Sequence, residues 1–456
     1  MHNCNKTFFF IIACLFIGSS FAQKGTQSPY SVFGIGELRG GKYAYFNALG
    51  GTQIANTDST IITQSNPASY ASIERNRPIF QVGLNGSFTQ LITENSNAET
   101  KQFGLDQFQL GLPIGKNFGL SFGLTPFSST GYLISNIIFD GADTVAQKIN
   151  EGKGTLSNFH VGLGYKQKIG DKSTLSFGAN INYLFGESER IESFEYYSFP
   201  NGALHSRVKN ATYLNDFKLD FGIIYEQKLY RSSFSLAATV SPGSEISGSS
   251  EHVAFAYSRS FYQNYNYAFS ITDTSKFNND LSGSAYIPLS YKVGGEYRIR
   301  PCPGSSLSYS LILKGEYNQQ NWSEFKTTFG NPNEDSTLVN RQHYKMGLEY
   351  TPNTIYQRNG SFGSYFSKIH YRFGLNYLSS EIKLKNTQLQ NYGISFGLGL
   401  PVLNGNSNTN LNLGVTYNVL GTTENSLIQE NNLGLSFGIS ISPGIYDRWF
   451  LKRKYD

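Results

Sequence analysis

From Pro78 onward the chain alternates apolar residues with small or polar ones, position by position. In Leu411-Asn412-Leu413-Gly414-Val415-Thr416-Tyr417-Asn418-Val419 every odd position is apolar, and Leu433-Gly434-Leu435-Ser436-Phe437-Gly438-Ile439-Ser440-Ile441 repeats the rhythm. Successive side chains of a β-strand point to opposite faces, so this pattern makes one apolar wall and one polar wall. Such segments recur at 79–93, 103–112, 118–126, 156–168, 174–197, 213–229 and 234–251. They continue at 287–299, 307–325, 343–350, 369–385, 392–400, 410–420 and 428–441. An even series of about fourteen predicts an all-β fold, a transmembrane antiparallel β-barrel. Segments longer than the ~9–11 residues that cross a bilayer should project beyond it. Polar inserts at 93–101, 140–154, 260–282 and 331–340 are candidate extracellular loops, and 170–172 and 404–408 candidate periplasmic turns.

Residues 1–22 read as a signal peptide: Lys6 in the charged region, an apolar run from Thr7 to Gly18, and Ser20-Phe21-Ala22 before the cleavage point. The rival lipoprotein box, Ile11-Ile12-Ala13-Cys14, would leave a very short apolar run. Residues 23–76 lack the two-residue period and form a separate N-terminal segment. Ser28-Pro29-Tyr30-Ser31-Val32-Phe33-Gly34-Ile35-Gly36 is glycine-rich, and Asn66 before Pro67 fits a helix start. Ahead of a barrel over 77–456, such a segment can plug the lumen.

Composition narrows the class. Hydrophobic residues are 39% and mean hydropathy is -0.32, which excludes several apolar helical spans. Aromatics reach 15%, equal to the charged fraction, which suits interfacial girdles better than a soluble sandwich. Lys+Arg 37 against Asp+Glu 32 is too balanced for a nucleic-acid partner. With the apolar parity outward, Phe108, Leu110, Leu112, Leu120, Phe122, Leu124, Phe159, Val161 and Leu163 face lipid. Charges take the other parity. The lumen-lining candidates are His160, Lys292, Glu296, Arg298, Lys345, Glu349 and Arg372. Gly393, Gly397, Gly399, Gly434 and Gly438 share that inward parity. They leave volume for the N-terminal segment or a ligand, or they relieve bending of the sheet.

Leu49-Gly50-Gly51-Thr52-Gln53-Ile54-Ala55, then Asp58, then Asn66-Pro67-Ala68-Ser69 resembles the hatch of the long-chain fatty-acid transporter family of outer-membrane barrels. The C-terminal half, with Tyr371-Arg372-Phe373-Gly374 and Trp449-Phe450-Leu451-Lys452-Arg453-Lys454, is similar to a divergent branch of such proteins. The resemblance implies a fourteen-stranded barrel with an N-terminal hatch that admits hydrophobic or amphipathic small molecules passively. It makes Gly50, Gly51, Asp58, Asn66, Pro67 and Ala68 hatch residues.

Three functions follow as expectations. The first is outer-membrane uptake of molecules like long-chain fatty acids. The second is an accessory or plug barrel in a secretion complex, as relatives serve in the type IX system. The third is an outer-membrane hydrolase built on His160, His343 or His370. No Gly-x-Ser-x-Gly elbow or metal-spaced histidine pair occurs. Only Cys302 remains outside the signal segment, too few thiols for a metal site. No cofactor and no catalytic residue is expected. The expected partners are outer-membrane lipids, a hydrophobic ligand, the barrel-assembly machinery during insertion and secretion-complex subunits.

Overall fold

The computed structural model describes residues 25–41, 43–141, 143–197, 204–261, 267–299, 309–329, 337–353, 365–402 and 408–442. The signal segment, Cys302, residues 331–336 and 404–407, and the Trp449–Lys454 tail lie outside the described residues.

Alternation becomes strand at every one of the fourteen segments. In order they are β1 (Ile79–Ile92), β2 (Asn97–Ile114), β3 (Phe118–Asp140), β4 (Asp143–Ile169), β5 (Ser173–Tyr196) and β6 (His205–Lys228). β7 runs in two pieces, Ser232–Ser241 and Ser244–Phe261, and β8 likewise as Tyr267–Ile287 and Ser290–Ile299. The breaks fall at Pro242 and Pro288, which lack the N–H a ladder needs. Then come β9 (Ser310–Gln320), β10 (Arg341–Thr351), β11 (His370–Leu384), β12 (Thr387–Pro401), β13 (Asn410–Leu420) and β14 (Gln429–Ile441). All neighbours pair antiparallel. β14 returns to β1, from Gln429 opposite Ile92 to Ile441 opposite Phe80, and the ring closes. Among the described residues no helix is long and apolar enough to cross a membrane; the crossing is made by strands.

Most of the expected loops are strand instead. Residues 97–101, 143–154 and the described parts of 260–282 continue the ladders. Their alternation is polar on both faces, so hydrophobicity does not reveal them; on β4 to β6 cross-strand ion pairs accompany the ladders. Lys148–Glu192 (3.2 Å), Lys153–Glu189 (2.9 Å) and Lys209–Glu189 (3.1 Å) tie β4, β5 and β6 together. The wall is therefore lopsided: β3 to β6 have 23 to 27 residues, whereas β9, β10 and β13 have 11. Tilted near 40°, a strand of about 24 residues rises roughly 60 Å against an apolar band of about 25 Å. One side of the barrel stands well clear of the bilayer.

The apolar parity faces outward, with Val161, Leu163 and Phe396 exposed 43%, 46% and 51%. Tyr291, Tyr317, Tyr344, Tyr377 and Tyr392 make a row across β8 to β12, ring centroids 4.9 to 6.4 Å apart. Such a row belongs at a membrane interface, where a ring can bury its face and wet its hydroxyl. Val161→Arg is expected to destabilise the bilayer-inserted barrel by about 2–4 kcal/mol. Tyr230→Arg, at an 84% exposed turn position, should change nothing measurable in the same lipid unfolding titration.

Candidate functional site

The inner wall carries the charges, and residues 25–76 lie against it. Three short helical turns organise this segment: Pro29–Val32, Ala44–Asn47 and Pro67–Ser72. Asn66 starts the last one by accepting from the Ala68 N–H at 3.0 Å, with Pro67 following at the first helical position. The Asn66 amide also donates to the Ile54 carbonyl at 2.8 Å, which fastens the two halves of the segment. Asp58 closes a local turn onto Thr60, 2.8 Å from its backbone N–H.

Glycines on the inward parity make the seat. A methyl on Gly119 would overlap the Tyr70 carbonyl, one on Gly178 the Pro67–Ala68 peptide, one on Gly374 the Gly50 N–H, and one on Gly397 the Ala48 side chain. Of the glycines singled out by sequence, Gly397 and Gly438 face the segment, while Gly393, Gly399 and Gly434 face wall side chains. Backbone therefore approaches backbone, and the wall's hydroxyls and amides bond the segment. Gln81 accepts from the Ile62 N–H (2.6 Å), and Ser395 accepts from the Gly50 N–H (3.0 Å). Ser235 donates to the Ala55 carbonyl (3.1 Å) and Ser440 to the Thr60 carbonyl (2.7 Å).

On β8 to β11 the fastening is ionic and buried. Glu316 accepts from the Gln53 and Ile54 N–H groups at 2.6 and 3.1 Å through one oxygen. Its other oxygen meets Lys345 Nζ at 2.9 Å, and Lys345 donates to the Gly51 carbonyl at 3.1 Å. Lys314 joins Glu296 (3.0 Å) to Asn56 (3.1 Å), and Arg298 holds the same Glu296 at 2.7 Å. Arg372 binds Glu349 and Asn412, both at 2.7 Å, and its guanidinium lies 4.2 Å from the centroid of the Tyr45 ring. Tyr43 takes a 3.3 Å hydrogen bond from Asn412; burial pushes its phenol up to about 12, so it stays neutral.

Of the sequence candidates, Glu296, Arg298, Lys345, Glu349 and Arg372 meet in this network. Lys292 stands at its margin, 3.4 Å from Ser65. His160 sits elsewhere, buried and stacked on Tyr70 with centroids 6.4 Å apart. Gly50 and Gly51 have φ of +66° and +85°, a turn that glycine adopts without strain. Ala68 is fully buried beneath the same seat. Sequence reasoning passed over Lys314 and Glu316; their two-residue spacing on one parity was the available signal, and in the structure Lys314 lies opposite Glu296 and Glu316 opposite Gly294.

Higher in the lumen the inward parity turns apolar. Tyr30 and Ile35 pack with Leu156, Leu184, Leu214 and Trp322. Between this cluster and the charged seat lies a cavity of about 440 Å³ with a mixed lining, Asn318, Asn391 and Arg341 beside Phe46, Phe127 and Leu378. Thr351 Oγ1 and Glu349 Oε1 approach the same nitrogen of His370, at 2.7 and 3.7 Å, so the ring relays no proton from one to the other. Among the described residues no three His, Cys, Asp or Glu side chains gather as a metal site.

No curated protein sequence matches the chain. Among solved structures, the toluene transporter TodX of Pseudomonas putida superposes with a TM-score of 0.52 at 13% identity, over 91% of this chain and 99% of that one. The toluene transporter TbuX of Ralstonia pickettii gives 0.51 at 12% identity, over 88% and 98%. At these identities the likeness is one of fold alone, an outer-membrane barrel of the architecture that the family resemblance implied. The profile of the BamG family matches residues 5–456, and this chain, a fourteen-stranded barrel of the outer-membrane type, belongs to that family.

Proposed function

We propose that the chain is a plugged barrel subunit of the β-barrel assembly machinery in the outer membrane. The observation that carries this reading is the BamG match along nearly the whole chain. It moves the accessory-barrel expectation from a secretion complex to the assembly machinery. Two features of the molecule support it. Residues 23–76 act as a plug whose seat is ionic and buried, which suits a body that holds its shape. The tall wall of β3 to β6 offers partner chains a surface beyond the bilayer. Residues 1–22 are the cleaved export signal in this reading. Affinity purification from native cells in mild detergent should bring down the central assembly barrel in stoichiometric amount. A lone chain with no bound subunit would overturn the proposal.

The mixed cavity favours a second reading, passage of hydrophobic or amphipathic molecules such as long-chain fatty acids when the plug shifts as a hatch. Lys292, Arg341 and Lys345 line the cavity and could hold a carboxylate headgroup, with the acyl chain toward Phe127 and Leu378. Native mass spectrometry should then show a co-purifying lipid, lost on Lys292→Met, which leaves the Glu316–Lys345 pair intact.

A further inference from the structure

We infer that the gap between the upper parts of β2 and β3 is a docking edge for an extended strand of another polypeptide, an unfolded outer-membrane barrel chain. The inference rests on the assembly reading and names the partner it implies.

β2 and β3 pair only from Phe108 opposite Leu124 down to Ile114 opposite Phe118. Beyond that point β2 continues against β1 alone, to Asn97 opposite Ile92. β3 continues against β4, to Asp140 opposite Asp143. Among the described residues no other barrel strand enters the gap. Both strands are irregular where they part. The β1–β2 register shifts beside Gly83, and the β3–β4 register shifts between Pro126 and Ser128. Pro126 has no N–H to offer a partner.

The chain's own N-terminal segment already uses this edge as a strand would. Glu37 and Leu38 pair antiparallel with Ser129 and Ser128, and the Arg39 N–H donates to the Phe127 carbonyl at 2.9 Å. Ser31 bonds the Gly131 N–H and carbonyl at 3.0 and 3.2 Å. On the other side Gln27 donates to the Lys101 carbonyl at 3.2 Å, and Gln102 to the Gly25 carbonyl. The edge is thus competent to hold extended backbone. The strand on it is two residues long, far short of the 11 or more in the wall's own strands.

A sheet edge is a template for pairing with another chain, and the bound strand's alternate side chains are read by what flanks the edge. On β3 the N-terminal segment buries Ser128, Ser129, Thr130 and Tyr132, and the strand opens from Leu133. Here the flanks are apolar and open: Phe103 and Leu105 on β2, Leu133 and Ile137 on β3, exposed by 51% to 65%. They suit a strand with one apolar and one polar face, the pattern of an unfolded barrel segment. Such a strand would pair along β3 and displace the short Glu37–Leu38 contact.

A photo-reactive phenylalanine analogue placed at Leu105 or Leu133 of the full chain, in its native cells, tests this. The probe is a plasmid-encoded, pulse-labelled outer-membrane barrel. Adducts with the labelled chain should form at both positions and not at Met346, which is also exposed but lies across the barrel on β10. A Leu38→Cys, Ser128→Cys pair, in a Cys302→Ser background, should lock the segment onto the edge. Oxidation should cut the adducts at least ~10-fold, and reductant should restore them; a tenfold change is about 1.4 kcal/mol of competition. Adducts no stronger than at Met346, adducts with lipid alone, or adducts indifferent to the lock would overturn the inference. Co-purification from the same cells separates the two failures. A silent edge in an intact complex sinks only this inference, and a chain found alone sinks the assembly reading as well.

Discussion

Gly178→Val combined with Gly374→Val should unseat the N-terminal segment and open the barrel. A side chain at the first collides with the Pro67–Ala68 peptide, and at the second with the Gly50 N–H. The two glycines sit on β5 and β11, so the segment loses two separate anchor points. Overpacking a filled site costs about 1–3 kcal/mol, and here the strain can be relieved by expelling the segment. Conductance in planar bilayers should rise toward that of a chain lacking residues 23–75. Gly315→Val is the control, because a methyl there meets nothing within 4 Å. If the double variant conducts no better than the parent, the segment is not what closes the barrel.

The second large effect lies at Glu316. Its removal strands Lys345 in a buried site and takes the acceptor from two N–H groups of the segment. Breaking a buried pair from one side costs about 3–5 kcal/mol, since the remaining charge stays uncompensated. Glu316→Ala should lower unfolding stability in detergent by that amount. Glu316→Gln with Lys345→Met should recover most of it, because the glutamine oxygen still accepts from Gln53 and Ile54 while the stranded charge is gone. Equal losses in the two variants would show that the ion pair does not set the seat. The network invites this test because β8 to β11 place their charges on one parity and the segment covers them.

Much of this architecture was readable in the residues. Lipid on one side and water or packed protein on the other force a two-residue period, so all fourteen strands were marked by their lower halves. Their upper halves were missed where lipid no longer imposes the contrast: Lys148, Lys153 and Glu192 lie in water on strands paired by charge. Asn66 and Pro67 marked the third turn of the segment through capping chemistry that is local in sequence. The partners of Glu316 were not legible, because Gln53 and Ile54 are more than 260 positions away. Parity could say that such a charge points inward and could not say what it meets. The gap between β2 and β3 does mark the period, because the outward apolar parity slips from Phe103 and Leu105 to Phe108 on β2 and from Leu124 to Leu133 on β3. A slip alone does not say which neighbour is lost. Strand pairing supplies that answer: the β1–β2 ladder skips Asp106 and the β3–β4 ladder skips the residue after Pro126, just beyond the last β2–β3 pair.

The central claim is that the N-terminal segment is fixed to the inner wall and moves with it. Hydrogen exchange on the detergent-solubilised full chain measures this directly, peptide by peptide. The Gly50, Gln53, Ile54 and Ile62 amides donate into the wall, and peptides carrying them should stay protected as long as those of β9 and β12. Exchange within seconds across residues 43–71, with the strands still protected, would contradict the account.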